Sequence, residues 1–126
     1  MGGCSAEREV SLDSGGAVLS ALQAAGVDAF ALDLDGEGVA NGIIEQISAV
    51  PMDRAFNILH GGAGENGAVS AILETMGIAF TGSPMAASAL AMDKVASKCV
   101  WQGLGLPTAP FLLLEKDSNW QVVVEN

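Results

Sequence analysis

Two polar, glycine-rich segments of the sequence contain residue types that can bind a small ligand. The first loop, residues 2–11, contains the carboxylates Glu7 and Glu9, and the second loop, residues 60–67, contains the only histidine, His60. A carboxylate can bind an ammonium group, and a histidine next to glycines can reach a ligand because the backbone there is unhindered. Both loops are therefore candidate parts of a binding site.

Each of these residues also has a purely structural interpretation. Glu7 and Glu9 precede a predicted helix, so either can simply complement the positive end of its dipole. His60 can be a solvated turn residue, and Glu65 with Asn66 can form an ordinary helix start. The residue types alone leave both interpretations open.

Two lysines at helical spacing form a third candidate. Lys94 and Lys98 are one helical turn apart, which fits either a solvated helix face or a contact with a phosphate group. Neither glycine-rich loop has GxGxxG or GxxxxGK[ST] spacing, so dinucleotide and P-loop sites have little support. No His or Cys residues have metal-ligand spacing, and no nucleophile elbow supports a hydrolase triad. The residues indicate a loop-built site for a small polar ligand.

Helices that alternate with short apolar strands are expected to position these loops. Strands are predicted over residues 30–34, 55–59 and 78–81 and from residue 111 onward; helices are predicted over residues 13–26, 39–47, 68–76, 85–92 and 93–102. This alternation predicts an α/β fold with a parallel sheet covered by helices on both faces. In such sheets ligands collect at the carboxyl ends of the strands, where a site built from both loops is expected.

The composition argues against several classes of partner. The 126 residues include 15 acidic and 5 basic ones, for a net charge of −10, and the basic residues are spread along the chain. Nucleic acid is not expected as a partner, because its phosphates need a concentrated basic face. No apolar stretch approaches the ~20 residues of a membrane span. No leader is recognisable and Cys4 and Cys99 lie far apart, so we expect reduced thiols and a cytoplasmic location.

Four strings of the sequence together resemble the D-alanine:D-alanine ligase family of ATP-grasp enzymes. They are GGCSAEREVSLDSG, FNILHGGAGENG, LETMGIAFTGS and ASALAMDKVASK. They occur in that family's order and spacing, and they span nearly the whole chain. The resemblance implies a Rossmann-like, pre-ATP-grasp amino-terminal domain over residues 1–83. Residues 84–126 would then be linker helices and the start of the ATP-grasp domain.

The resemblance also implies a reaction. In this family ATP phosphorylates the carboxylate of one D-alanine, and the amine of a second D-alanine attacks the acyl phosphate to form D-alanyl-D-alanine for peptidoglycan. The implied cofactors are ATP and Mg²⁺ or Mn²⁺, and the implied assembly is a homodimer of the complete enzyme. The string EREVSL is closer to the D-alanine type than to relatives that use D-lactate or D-serine.

Family roles carry over to individual residues by the same resemblance. Glu7 matches the carboxylate that fixes the ammonium of the first D-alanine, with the backbone near Val10 beside it. His60 matches a histidine close to the carboxylate of that substrate. Glu65 matches a supporting glutamate, and Lys94 matches a lysine near ATP.

Two departures from the family pattern shape the expectation for this chain. The family has a strand before its paired glycines, so we expect a sheet that lacks its first strand and is empty at its centre. After Asn126 the family continues with its metal ligands and most of its nucleotide-binding residues. The chain is therefore expected to be a fragment that is inactive alone. The alternative is a non-catalytic module that binds a small amino acid or pairs with other subunits.

Overall fold

The computed structural model describes residues 1–35, 42–114 and 116, and these form an α/β structure. The two short strands are β1 (Arg54–Ala55) and β2 (Ala79–Phe80), and a 3₁₀ turn covers Gly62–Gly64. The helices are α1 (Arg8–Ala24), α2 (Ile43–Ser48), α3 (Ala68–Thr75), α4 (Met85–Met92) and α5 (Lys94–Gly103). Within the described part of the chain, no helix is long and apolar enough to cross a membrane.

Two compact units divide the chain, Met1–Met92 and Asp93–Asn126. The first unit contains both candidate loops, and the second begins with α5. Units defined by packing need not coincide with the domains that a resemblance implies. The domain division near residue 83 therefore stays a prediction.

The parallel pairing expected from the sequence is present but short. Strands β1 and β2 pair in parallel, with Arg54 opposite Ala79 and Ala55 opposite Phe80. Gly2 forms a separate parallel bridge with Leu34. In that bridge Gly3 N donates to Leu34 O at 2.7 Å, and Leu34 N donates to Met1 O at 3.0 Å. The first residues of the chain thus occupy a strand-like position beside Leu34.

The predicted strands over residues 30–34 and 55–59 are too long. Only Leu34 of the first segment and Ala55 of the second lie in assigned bridges or strands. A strand needs a hydrogen-bonded neighbour, and a cavity of about 650 Å³ is lined by residues of both segments. Apolar periodicity identifies these segments, but it does not reveal whether the backbone of a neighbour lies alongside. The strand predicted from residue 111 is also wrong, because residues 111–114 form no strand.

Helix positions were predicted more accurately than strands, with one clear error. α4 has the predicted bounds, and α3 ends one residue before the predicted 76, ahead of Gly77 at φ +69. α5 is capped as predicted by Asp93, whose Oδ1 accepts from Ala96 N at 2.9 Å. α2 covers the end of the predicted 39–47 helix, and residues 39–41 lie outside the described residues.

The error concerns the start of α1, which begins at Arg8 and not at Asp13. Arg8 N donates to Ser5 O at 3.2 Å, and Ser11 N donates to Glu7 O at 3.0 Å. These bonds start the helix from the preceding turn, so Asp13 lies inside it and caps nothing. The later part of the first loop is consequently helical.

A small apolar core lies between the helices and the sheet. Its buried members are Leu34, Ile43, Ile47, Val69 and Leu73. Two of them come from α2 and two from α3, each spaced four residues apart, so each helix presents one apolar face. α3 follows the second loop directly, so the burial of its apolar face holds the carboxyl end of that loop.

Burial predicts unequal effects for two isoleucines on the same short helix. Ile47 is 3% exposed and Ile44 is 44% exposed. Ile47→Ala is expected to lower the free energy of unfolding by about 2–5 kcal/mol, because it leaves a cavity in the core. Ile44→Ala, the matched control, is expected to change it by about 0.5 kcal/mol or less. Urea unfolding of the 126-residue chain measures both, and equal losses would contradict the described packing.

Candidate functional site

The first loop is fixed to the neighbouring segment by an arginine clamp. Arg8 Nη1 and Nη2 donate to Asp33 Oδ1 and Oδ2 at 2.8 and 2.6 Å, and Nη1 also donates to Gly3 O at 3.2 Å. The hydrogen bonds from Arg8 to Asp33 raise the pKa of the Arg8 guanidinium. A guanidinium that donates in this bidentate way fixes direction as well as distance. The clamp therefore sets where the turn before α1 lies.

A buried serine connects this turn to the segment before the second loop. Ser11 is 0% exposed, and its Oγ donates to Ile58 O at 2.7 Å. The same Oγ accepts from Gly2 N at 3.0 Å. One hydroxyl thus uses its donor and an acceptor lone pair to join two segments that are far apart in sequence.

A second serine makes a similar connection closer to the candidate ligand-binding residues. Ser5 Oγ donates to His60 O at 2.5 Å and accepts from Glu7 N at 3.1 Å. Ser5 therefore bridges the backbones of the two residues that the sequence singles out. The two loops, predicted to contribute to one site, meet here.

Glu7 lies at the start of α1, but its side chain does not cap the helix. Glu7 is the N-cap residue, and no side-chain hydrogen bond is made to the helix amides. Its carboxylate instead lies over the second loop, where a Cβ atom on Gly61 would be 2.5 Å from Glu7 Oε2. Glu9 lies in the first turn of α1, where a carboxylate complements the helix dipole. The two glutamates thus have different surroundings.

His60 lies beside a small cavity formed by both loops. The cavity measures about 170 Å³ and is lined by Gly3, Cys4, Ser5, Ile43, Leu59, His60, Gly61, Gly62, Ala63 and Gly64. His60 Nε2 is buried and has no hydrogen-bond partner in the described part of the structure. A buried ring nitrogen without a partner costs free energy, and a ligand in contact with it recovers that cost.

The rest of the second loop is held by its own backbone and by amides. The 3₁₀ turn at Gly62–Gly64 is followed by Asn66, whose Oδ1 accepts from Ala68 N at 3.0 Å at the start of α3. Asn57 supports the loop through its Nδ2, which donates to Gly64 O at 3.4 Å. The helix-start interpretation thus fits Asn66, while Glu65 is an exposed neighbour.

Val10 and Lys94, two further candidate residues, are both exposed in the first turns of helices. Val10 is 54% exposed in the first turn of α1, where backbone N–H groups lack intrahelical acceptors. Lys94 is exposed at the first residue of α5, in the second compact unit. Lys98 is engaged in that same unit: its Nζ donates to Ala109 O at 2.8 Å and to Thr108 Oγ1 at 3.0 Å. The solvated-face interpretation therefore fails for Lys98.

Sequence reasoning identified Glu7 and His60 but missed the residues that hold them. Ser5, Ser11 and Arg8 make the connections described above, and Asp33 is the partner of Arg8. Arg8 carried a usable signal, because a lone cation in a polar loop of an acidic chain invites a carboxylate partner. Nothing local to the sequence identifies that partner 25 residues away. Within the described residues, no group of three or more His, Cys, Asp or Glu residues is arranged to hold a metal ion.

Together these contacts make a site suited to a small ligand that carries both charges. The Glu7 carboxylate can accept from an ammonium group, and the imidazole of His60 can donate to an oxygen. A Cβ at position 61 would require the Glu7 carboxylate to move from its place over the second loop. A free amino acid carries both an ammonium group and carboxylate oxygens.

Comparison with known proteins gives a consistent set of relatives, although no family model matches the chain. The chain is 51% identical over 124 residues to the D-alanine–D-alanine ligase of Stutzerimonas stutzeri, covering 98% of this chain and 38% of that protein. It is 48% identical over 125 residues to the same ligase of Neisseria meningitidis serogroup C, covering 99% of this chain and 40% of that protein. The chain thus spans about two fifths of the length of these relatives.

A solved structure supports the same relationship. The D-alanine–D-alanine ligase of Bacillus anthracis in complex with ATP superposes with a TM-score of 0.81 at 31% sequence identity. The match covers 99% of this chain and 40% of that chain. Sequence and backbone therefore agree along nearly the whole length of this chain.

The crowding around Gly61 predicts a change that a matched glycine does not share. Gly61 and Gly77 have φ of +67° and +69°, but only at Gly61 would a Cβ meet Glu7 and Ser5. Both alanine variants should lose about 1–2 kcal/mol of stability from left-handed backbone strain. Gly61→Ala should lose about 1 kcal/mol more by crowding and should shift the His60 imidazole NMR signals.

Urea unfolding and imidazole NMR spectra measure these two effects in the same samples. Gly77→Ala should leave the His60 signals unchanged. Equal losses of stability combined with unchanged His60 signals in both variants would mean that Glu7 does not lie over Gly61.

Proposed function

Because this chain is homologous along nearly its whole length to D-alanine–D-alanine ligases, we propose that it is the segment of such a ligase that binds the first D-alanine. The proposal extends to the ATP-dependent formation of D-alanyl-D-alanine for peptidoglycan by the complete enzyme. Two observations carry it for this chain: the carboxylate of Glu7 lies over Gly61, and the neighbouring residue His60 has a buried Nε2 without a partner in the described residues.

Glu7 is proposed to bind the ammonium group of the first D-alanine. Its carboxylate is not used by the helix amides, so its acceptor oxygens remain available to a ligand. An ammonium is a compact, strongly charged donor, and a carboxylate that approaches it from one side fixes its position. The backbone near Val10, in the first turn of α1, is proposed to lie beside the same substrate. Glu7 thereby orients the substrate, and orientation lowers the barrier to a reaction between bound partners.

His60 is proposed to lie near the carboxylate of the same D-alanine. Its buried Nε2 has no partner in the described residues, and a substrate oxygen supplies one. A donor placed in advance at an oxygen that gains charge stabilises the transition state more than water does. The glycines after His60 let the substrate approach the backbone closely. Glu7 and His60 thus hold the two ends of one amino acid.

ATP fits this proposal through Lys94, which is exposed at the start of α5. A lysine ammonium offsets the charge of phosphates brought close to a carboxylate. When bound, ATP supplies the phosphoryl group that activates the D-alanine carboxylate as an acyl phosphate. Mg²⁺ or Mn²⁺ is proposed as a cofactor of the complete enzyme.

We also propose a fold, an oligomeric state and a cellular compartment for the complete enzyme. The parallel pairing of β1 with β2 and of Gly2 with Leu34 supports a Rossmann-like arrangement over residues 1–83. Residues 84–126 then form linker helices and the start of an ATP-grasp domain. A homodimer of the complete enzyme is proposed with it. The exposed thiols of Cys4 and Cys99, which form no disulfide, fit a reducing cytoplasm.

A graft tests the proposed function. The 124 matching residues of the Stutzerimonas stutzeri ligase are replaced by those of this chain, and D-alanine-dependent phosphate release from ATP is measured. Release is expected in this grafted ligase. Glu7→Gln should lower kcat/KM for D-alanine, because the ammonium loses its charged partner. The corresponding loss of transition-state stabilisation is expected to be about 2 kcal/mol or more. A kcat/KM near that of the unmodified graft would mean that Glu7 does not bind the substrate and only complements the dipole of α1.

Glu9→Gln is the matched control for this measurement. Glu9 is also exposed and lies two residues away, but it belongs to the first turn of α1. Its substitution is expected to change the transition-state stabilisation calculated from kcat/KM by less than about 0.5 kcal/mol. Equal losses of kcat/KM in both variants would indicate an effect of the loop's overall negative charge and not a specific contact with the ammonium group. No phosphate release from the graft itself would contradict the proposed function of this segment.

A further inference from the structure

We infer that Ser5 is a positioning residue that sets the relative placement of Glu7 and His60, and this inference rests on the proposed function for its consequence. Ser5 is not among the residues that the family resemblance places at the site. Its importance comes from its contacts alone. Its hydroxyl bridges the two residues proposed to hold opposite ends of D-alanine.

The hydroxyl of Ser5 is both a hydrogen-bond donor and a hydrogen-bond acceptor. Ser5 Oγ donates to the backbone oxygen of His60 at 2.5 Å and accepts from the backbone N–H of Glu7 at 3.1 Å. A hydroxyl that donates to one group and accepts from another constrains both at once. The backbone of Glu7 is therefore tied to the backbone of His60 through a single oxygen atom.

Ser5 and the Glu7 side chain both lie against Gly61 of the second loop. A Cβ atom on Gly61 would lie 3.1 Å from both Cβ and Oγ of Ser5 and 2.5 Å from Glu7 Oε2. Ser5 and the Glu7 carboxylate thus pack together against one glycine. If Ser5 lost its hydroxyl, both loops would keep their own local bonds but would lose this bond between them.

Ser11 makes a similar bridge but has a different role. Its hydroxyl joins Gly2 to Ile58 and is fully buried. Loss of a buried bridge of this kind destabilises the fold as a whole. Ser5 is only partly buried and contacts the two site residues directly, so its loss should affect the site more than the fold.

The test uses three variants of the 126-residue chain. Ser5→Ala removes the bridging hydroxyl, and Ser5→Thr keeps a hydroxyl in its place. Ser20→Ala is the matched control, because Ser20 Oγ donates only to Gly16 O within its own helix, at 2.9 Å. The readouts are the hydrogen-exchange rate of the Glu7 amide, the NMR signals of the His60 imidazole, and D-alanine affinity from an NMR titration.

Ser5→Ala should raise the exchange rate of the Glu7 amide about fivefold to tenfold and shift the His60 signals. It should weaken D-alanine binding by a similar factor while the unfolding midpoint changes little. Ser5→Thr should restore exchange, signals and affinity toward those of the parent chain. Ser20→Ala should leave all three readouts unchanged.

Two results would overturn the inference. One is an unchanged Glu7 exchange rate and unchanged His60 signals in Ser5→Ala; the other is an equal change in Ser20→Ala. A different outcome concerns the proposed function only: if the parent chain binds no D-alanine, the proposal that this segment binds the first D-alanine fails. Exchange rates and imidazole signals still decide the role of Ser5 in that case, so the two failures are distinguishable.

Discussion

The fully buried hydroxyl of Ser11 joins the first residues of the chain to the segment that leads into His60. It donates to Ile58 O at 2.7 Å and accepts from Gly2 N at 3.0 Å. Each of these backbone groups would otherwise need another partner, and a buried polar group without one costs about 1–3 kcal/mol. Both loops of the site start from the segments that Ser11 holds together. The placement of Glu7 near His60 depends on this connection more than on the short strands.

In this region, side-chain hydrogen bonds and glycines hold neighbouring segments together, a task that a longer sheet performs with backbone hydrogen bonds. A parallel ladder fixes neighbouring segments through many backbone bonds, whereas here Ser5, Ser11 and Arg8 each supply a few bonds at defined points. Gly61 allows the two loops to approach closely, because any Cβ there would meet Glu7 and Ser5. The cavity next to His60 remains between loops that are held at their bases. These surroundings are where we propose that the ammonium and the carboxylate of the first D-alanine bind.

The sequence predicted some parts of this structure well because their causes are local. Helix α4, the glycine that ends α3 and the Asp93 cap of α5 follow from apolar spacing and capping chemistry within a few residues. The start of α1 was placed five residues late, because a plausible cap at Asp13 competed with a turn at Ser5 that propensity does not reveal. Strand lengths were overestimated because pairing depends on residues distant in sequence. The bonds of Ser5 and Ser11 could not be predicted for the same reason.

The central claim is that Glu7 and His60 hold the two ends of one D-alanine, and a crystal structure of the grafted ligase with D-alanine tests it most directly. The account predicts a Glu7 carboxylate oxygen within about 3.2 Å of the substrate ammonium. It also predicts the His60 imidazole beside the substrate carboxylate, with Ser5 still bridging the two loops. D-alanine bound with its ammonium on another residue, while Glu7 points to solvent, would contradict the account.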